Sequence, residues 1–248
     1  MTLQRLLGFV RKACDDYRMI APGDRVAVGV SGGKDSLALL AALTAMRRFY
    51  PDSYEVEAVT VSLGLPGFEL AAVREFCAKL GVGYTVAETQ IGQVVFEARR
   101  EKNPCSLCAN MRRGALHNTA KGLGCNKVAL GHNRDDVIHT FLLSLFYEGR
   151  VHTFSPVTYL DRQDLTVIRP LVYLPEADAA SYAKAAHLPV VKSPCPADGH
   201  TKRADMRELV AELRERFPDL DQKLFHAVKG LDPPVEGPSR VTWETGRH

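Results

Sequence analysis

Residues 26–36 read Val-Ala-Val-Gly-Val and then Ser-Gly-Gly-Lys-Asp-Ser, and no other stretch restricts the folding of this chain as much. A short continuous apolar run is the mark of a strand buried on both faces. Here it stops at two adjacent glycines, and a helical pattern over 36–49 follows at once. Such a strand needs sheet neighbours on either side and helices above and below, and the rest of the chain supplies them. Apolar runs at 56–63, 81–87 and 126–130 alternate with helical patterns at 69–80 and 135–147, and a fifth strand is expected at 165–168. Strands alternating with helices predict an α/β fold, a parallel sheet with helices on both faces. Sites in such sheets form at the carboxyl ends of the strands. The chemistry is therefore expected just after Val30, Leu63 and Leu130.

Outside this frame, Leu3, Leu6, Leu7, Val10 and Ala13 recur at helical spacing and mark 1–19 as an N-terminal helix. The α/β domain is assigned to 20–190, with a short helix near its end at 176–186. A C-terminal helical section over 191–230 contains an amphipathic helix at 201–217. Residues 231–248, rich in Pro, Gly and polar side chains, read as a loose tail. A chain of 248 residues can bury a core without disulfide or metal staples. No apolar run reaches the roughly 18 to 20 residues that cross a bilayer, and no export signal is visible at the N-terminus. A cytoplasmic location with no membrane partner is expected, and with it six reduced cysteines. The formal charge of +3 does not announce a polyanion binder.

The loop after the first strand suits an anion. Gly32 and Gly33 let the backbone approach it, the helix start offers unpaired N–H groups, Ser31 and Ser36 add hydroxyls, and Lys34 adds a charge. A Walker A loop would need Gly at position 28 and Ser or Thr at 35, where this chain has Val28 and Asp35. A carboxylate beside a phosphate cradle is repulsive unless a cation lies between them, so Asp35 is assigned to Mg²⁺. This loop resembles that of the PP-loop ATP pyrophosphatases, of the Rossmann-like adenine nucleotide alpha-hydrolase type. The resemblance implies cleavage of ATP between its α and β phosphates to activate a substrate oxygen. It also implies that Val30 and the loop hold phosphates while the backbone around Val61 faces the adenine.

Cys105-Ser106-Leu107-Cys108 is the only C-x-x-C in the chain, so a zinc ribbon lacks its second pair. A redox pair would follow a strand directly, and this one follows ARREKNP. Cys195 could supply a third thiolate, and three thiolates suit an iron–sulfur cluster with one iron left open. Cys14, Cys77 and Cys125 read as core cysteines. Gly131-His132-Asn133-Arg134-Asp135-Asp136 follows the fourth strand and opens a helix. Adjacent carboxylates there either cap the helix or stand near Mg²⁺ and the α-phosphate. Neither His132 nor His139 is assigned a ligand role, although His132 is the better placed.

Taken in order, SGGKDS, CSLCANMRRG, GHNRDDVIHTFLLSLFYEG and RPLVYL closely resemble the tRNA 2-thiocytidine synthetase (TtcA-type) group of PP-loop enzymes over residues 10–230. That resemblance implies a tRNA sulfurtransferase using ATP, Mg²⁺ and a 4Fe-4S cluster on Cys105, Cys108 and Cys195. It also implies a sulfur donor such as a cysteine desulfurase or free sulfide, and is compatible with a homodimer. Lys34, Asp35, Arg112, Asp135 and Asp136 match catalytic positions, and Gly131 joins the loop among the nucleotide contacts. Around the third cysteine the group carries PCNLCGS where this chain has PCPADGH, which leaves the target base open.

Between Arg99 and Arg134 there are eight Lys and Arg against one acid. Basic runs are usually solvated faces, but this run brackets the cysteine pair. Arg99, Arg100, Arg113 and Lys121, with Lys202 and Arg203 beyond Cys195, are the expected RNA contacts, and Phe146 or Tyr147 could stack a base. Two other readings stay open. One is a PP-loop amidotransferase or ligase with a zinc or redox cysteine site; the other is a nucleotide- or RNA-binding module without turnover.

Overall fold

The computed structural model of the chain describes residues 1–98, 104–192, 194–195 and 202–231. Its centre is β1 (Asp24–Gly29), paired in parallel with β2 (Tyr54–Ser62) on one side and β4 (Lys127–Ala129) on the other. β3 (Gly83–Glu88) lies outside β2, and β6 (Leu165–Ile168) lies outside β4, both parallel. The edge strand β5 (Val157–Leu160) runs antiparallel to β6, with Val157 opposite Ile168. The sheet order is β3-β2-β1-β4-β6-β5. The chain crosses from one half of the sheet to the other between β1 and β4, and a crevice opens there at the carboxyl edge.

Eight α-helices accompany the sheet among the described residues: α1 (Leu3–Asp16), α2 (Lys34–Met46), α3 (Ala71–Leu80), α4 (Pro104–Gly122), α5 (Arg134–Glu148), α6 (Glu176–Ala185), α7 (Lys202–Arg216) and α8 (Leu220–Lys229). α2 is apolar all round because it is covered on every side. Leu37, Leu39, Leu40 and Leu43 have no exposed surface and join α1, α6 and the sheet in the main core. Truncating any of them to Ala costs about 2–5 kcal/mol. The opposite face of the sheet packs Ala27, Val59, Val128 and Leu165 against Leu116 and Ala120 of α4. α7 leans on α5 through Met206, Val210, Ile138 and Leu142.

The expected parallel strands are present within a few residues of their anticipated bounds. β5, α4 and α8 are among the elements that escape sequence reading. β5 is four residues long and turns back through a 3-10 segment, Asp161–Gln163, and Asp164 at φ +44°. At the amino edge, Asp24 and Lys127 form a buried ion pair at 2.6 Å. The same carboxylate accepts from the Ala21 N–H and the Asn126 amide at 2.6 and 2.7 Å. Lys127 is thus a structural cation and leaves the basic stretch. No described helix is long and apolar enough to cross a membrane. Of the proposed tail, only Leu231 lies within the described residues.

Candidate active site

The loop is built by local bonds. Gly32 sits at φ +83°, in the left-handed region that favours glycine. Ser36 Oγ accepts from the Ser31 N–H at 3.1 Å and donates to the Gly33 carbonyl at 2.9 Å. Gly33 caps α2 without a side-chain bond, so the helix start faces the crevice with its N–H groups unclaimed by a cap. Lys34 Nζ lies 2.9 Å from Asp35 Oδ2 and 2.8 Å from Glu176 Oε1. Burial works against this ammonium, but its hydrogen bonds to Glu176 and Asp35 prevail and hold its pKa above the ordinary lysine value. Two carboxylates therefore stand at the cradle, hard oxygen donors of the kind Mg²⁺ takes.

The acidic motif touches this loop. A Cβ on Gly131 would lie 3.0 Å from the Ser36 amide nitrogen, so only glycine fits so close an approach. Asn133 donates to Asp35 Oδ1 at 3.2 Å and caps α5 in a reciprocal box with Asp136. The helix-capping reading therefore accounts for Asp136, although burial, with Asp35 and Glu176 nearby, raises its pKa. Asp135 has a different task. Its two oxygens accept from Arg214 at 2.6 Å and from the Glu176 N–H at 2.7 Å. Arg214 also grips Asp221, which pairs with Arg134 at 3.4 Å. Of the two readings of this pair, capping fits Asp136, while Asp135 is held in a charge network joining α5, α6, α7 and α8. Arg134, the last residue of the basic stretch, is consumed by that network.

A crevice of about 630 Å³ runs along this edge. Ser31, Gly33, Asp35 and Ser36 form one wall, with Val59 and Val61 of β2 and Leu63 just beyond it beside them. Period-2 spacing puts the two β2 side chains on one face. The Val59 carbonyl is already engaged by the Val30 N–H at 2.8 Å. The far wall presents Arg112 and Arg113 of α4, His132, Phe154, Arg169 and Arg203. Burial first, then Arg169, Arg203 and Arg113, push the His132 pKa down to about 3, so its imidazole is neutral. Its ring lies 4.8 Å from that of Phe154, and the Arg169 guanidinium covers Phe154 at 5.0 Å.

The cysteines gather at the same mouth. Cys105 and Cys108 lie on α4 one turn before Ala109 and Arg112, which line the crevice, as does Pro194 beside Cys195. Cys108 is buried, and burial raises its pKa; Arg112 lowers it, while Cys195 and Cys105 raise it further. Cys105 and Cys195 are thus both close enough to Cys108 to act on its thiol. Among the described residues, no three His, Cys, Asp or Glu side chains are grouped tightly enough for a single metal ion. Three cysteines in a looser group, without a fourth, suit a cluster with one open iron. Cys14, Cys77 and Cys125 are core residues with raised pKa values, as expected.

Residues 5–213 match the PP-loop domain family. The tRNA-cytidine(32) 2-sulfurtransferase of Pelobacter propionicus is 40% identical over 93% of this chain and 87% of that protein. The enzyme of the same name from Geobacter sulfurreducens is 37% identical over 93% and 91%. The chain belongs to the PP-loop tRNA sulfurtransferase family. The U34-tRNA thiolase NcsA from Methanococcus maripaludis, solved with its [4Fe-4S] cluster, shares this PP-loop fold. It has a TM-score of 0.76 at 24% identity, covering 96% of this chain and 81% of that one. An NH3-dependent NAD synthetase from Campylobacter jejuni shares it more distantly, at a TM-score of 0.51 and 18% identity over 93% of each chain.

The expected RNA contacts of this PP-loop enzyme divide. Arg113 and Arg203 line the crevice. Lys202 stands 4.3 Å over the exposed Tyr147 ring, next to exposed Phe146. Lys121 sits at the far end of α4, where it meets Asp164 beside the start of β6, and does not line the crevice. Arg99 and Arg100 lie outside the described residues, as does most of the PCPADGH segment. Sequence reading missed Phe154, Glu176 and Arg214, and gave no role to Asn133 or Arg169, although these stand in the motifs GHNRDD and RPLVYL.

Proposed function

We propose that the enzyme converts the C2 carbonyl of cytidine 32 in a tRNA to a thiocarbonyl at the expense of ATP. One observation supports this reading: the phosphate loop lines an arginine-rich crevice that also takes in Ala109, Arg112 and Pro194, the near neighbours of Cys105, Cys108 and Cys195. The loop amides, Ser31 and Ser36 take the β and γ phosphates, and Lys34 offsets their charge. Asp35, with Glu176 close by, holds Mg²⁺. The base oxygen attacks the α-phosphorus, the α–β bridging bond breaks, and pyrophosphate leaves. Sulfide then attacks C2, and the C2–O bond breaks as AMP departs with the oxygen. Cys105, Cys108 and Cys195 hold the 4Fe-4S cluster, which when bound supplies a site for the incoming sulfide. Arg112, one turn from Cys108, stabilises the negative charge that develops at the base.

Anaerobically prepared protein given tRNA, ATP, Mg²⁺ and sulfide is expected to form 2-thiocytidine and release AMP and pyrophosphate. It should contain about four irons with acid-labile sulfide. One zinc without labile sulfide, or a tRNA nucleoside profile unchanged by deleting the gene, would overturn the reading.

A further inference from the structure

We infer that His132 is the specificity-determining residue for the target base, accepting a hydrogen bond from its exocyclic amine. This rests on the sulfurtransferase reading above and adds the contact that separates cytosine from other pyrimidines.

Apart from His132, the described side chains of the far wall offer no hydrogen-bond acceptor. Among the described side chains lining it, Arg112, Arg113, Arg169 and Arg203 are polar but only donate hydrogen bonds; the remainder beside His132 are apolar. Arginines satisfy phosphates and carbonyl oxygens, and would suit the O4 of uracil as well as the O2 of either base. They cannot recognise an amine. A neutral imidazole always keeps one acceptor nitrogen, whereas an imidazolium has none. Burial among Arg169, Arg203 and Arg113 keeps His132 neutral, so the acceptor is present throughout the ordinary pH range.

The position is also suitable. Gly131 touches the start of α2 at Ser36, so His132 follows directly the residue that meets the phosphate loop. A base beside it lies next to the phosphates, across the crevice from Val59 and Val61. Phe154 supports the imidazole from one side. The Nδ1 atom of His132 is buried without a hydrogen-bond partner in the protein, and a buried polar atom left so beside a substrate crevice calls for a ligand.

The test uses the holoenzyme and tRNA anticodon stem-loops with cytidine, uridine or pyrimidin-2-one riboside, which lacks the amine, at the target position. The readout is the ratio of kcat/KM values between templates. Wild-type enzyme should prefer cytidine to pyrimidin-2-one by roughly 10- to 100-fold and reject uridine more strongly. His132→Ala should reduce the first ratio to about threefold or less. His132→Gln, which restores an acceptor, should recover part of it. A structural role would lower the rates on all templates together and leave the ratio intact, which overturns the inference. So would a rise in the KM for ATP with an unchanged template ratio, since that places His132 on the nucleotide. No thiolation of any template by wild-type enzyme would overturn the sulfurtransferase reading itself, and this inference with it.

Discussion

The two walls of the crevice are built on opposite terms. On the loop wall, the hydroxyls, the ammonium and the carboxylate already have partners: Ser31 with Ser36, Lys34 with Asp35 and Glu176, Asp35 with Asn133. On the far wall, four arginines and a neutral histidine converge, with Arg112 one turn from Cys108. The first wall is ordered before ATP arrives, which suits catalysis by fixed donors that need no rearrangement. The second carries four arginines and, among the described residues lining it, no carboxylate, which suits an incoming polyanion. The difference assigns nucleotide activation to one wall and RNA placement with sulfur delivery to the other.

If the walls act separately, variants should separate too. Cys105→Ala is expected to abolish thiolation while changing ATP affinity less than about threefold; a matching loss of ATP binding would join the walls again. Lys34→Ala should lower the rate of pyrophosphate release by roughly 10²–10³ and leave iron content unchanged, as measured by metal analysis. Lys127→Ala breaks the buried pair with Asp24 at the opposite edge of the sheet. It should cost about 3 kcal/mol in urea unfolding, with activity per folded molecule retained. Arg214→Ala leaves Asp135 buried with only the Glu176 N–H. Because Arg214 is 38% exposed, the expected cost is smaller, about 1–2 kcal/mol. Arg214→Lys should restore part of it, since a cation again faces Asp135.

How much of this was legible depends on how local the determinants are. The loop was, because strand, glycines, lysine and helix follow one another within about two dozen residues, and each contact forms among near neighbours. The cap of α5 was equally local, Asn133 to Asp136. The split of Asp135 from Asp136 was not legible, since two adjacent carboxylates look alike until Arg214, 79 positions away, takes one of them. The basic stretch was overread for the same reason. Lys127 and Arg134 count as cations in a sum, but each finds its acid, Asp24 or Asp221, only when the chain has folded. β5 gave too short a pattern to register, and it depends on β6 for its place. The cysteine pair was legible as metal chemistry, whereas its setting on the crevice face of α4 was not, because the helix starts at a proline after a charged run.

The smallest predicted effect tests the far wall through proton release. Iron binds thiolate, not thiol. Burial holds the Cys108 thiol above the ordinary cysteine value, and Cys195 and Cys105 push the same way, while Arg112 opposes them. A raised pKa means that the folded apoprotein keeps this proton to higher pH, so cluster uptake must expel it. The rate of anaerobic cluster assembly, followed by the growth of its visible absorbance, should therefore rise with pH by a few-fold from about pH 6.5 to about pH 9. Arg112→Ala removes the opposing charge and should shift that curve to more alkaline pH. A shift to lower pH, or a flat profile in the wild-type protein, would mean that Arg112 and Cys108 do not share a field, and the far wall would lose its electrostatic link between base and cluster.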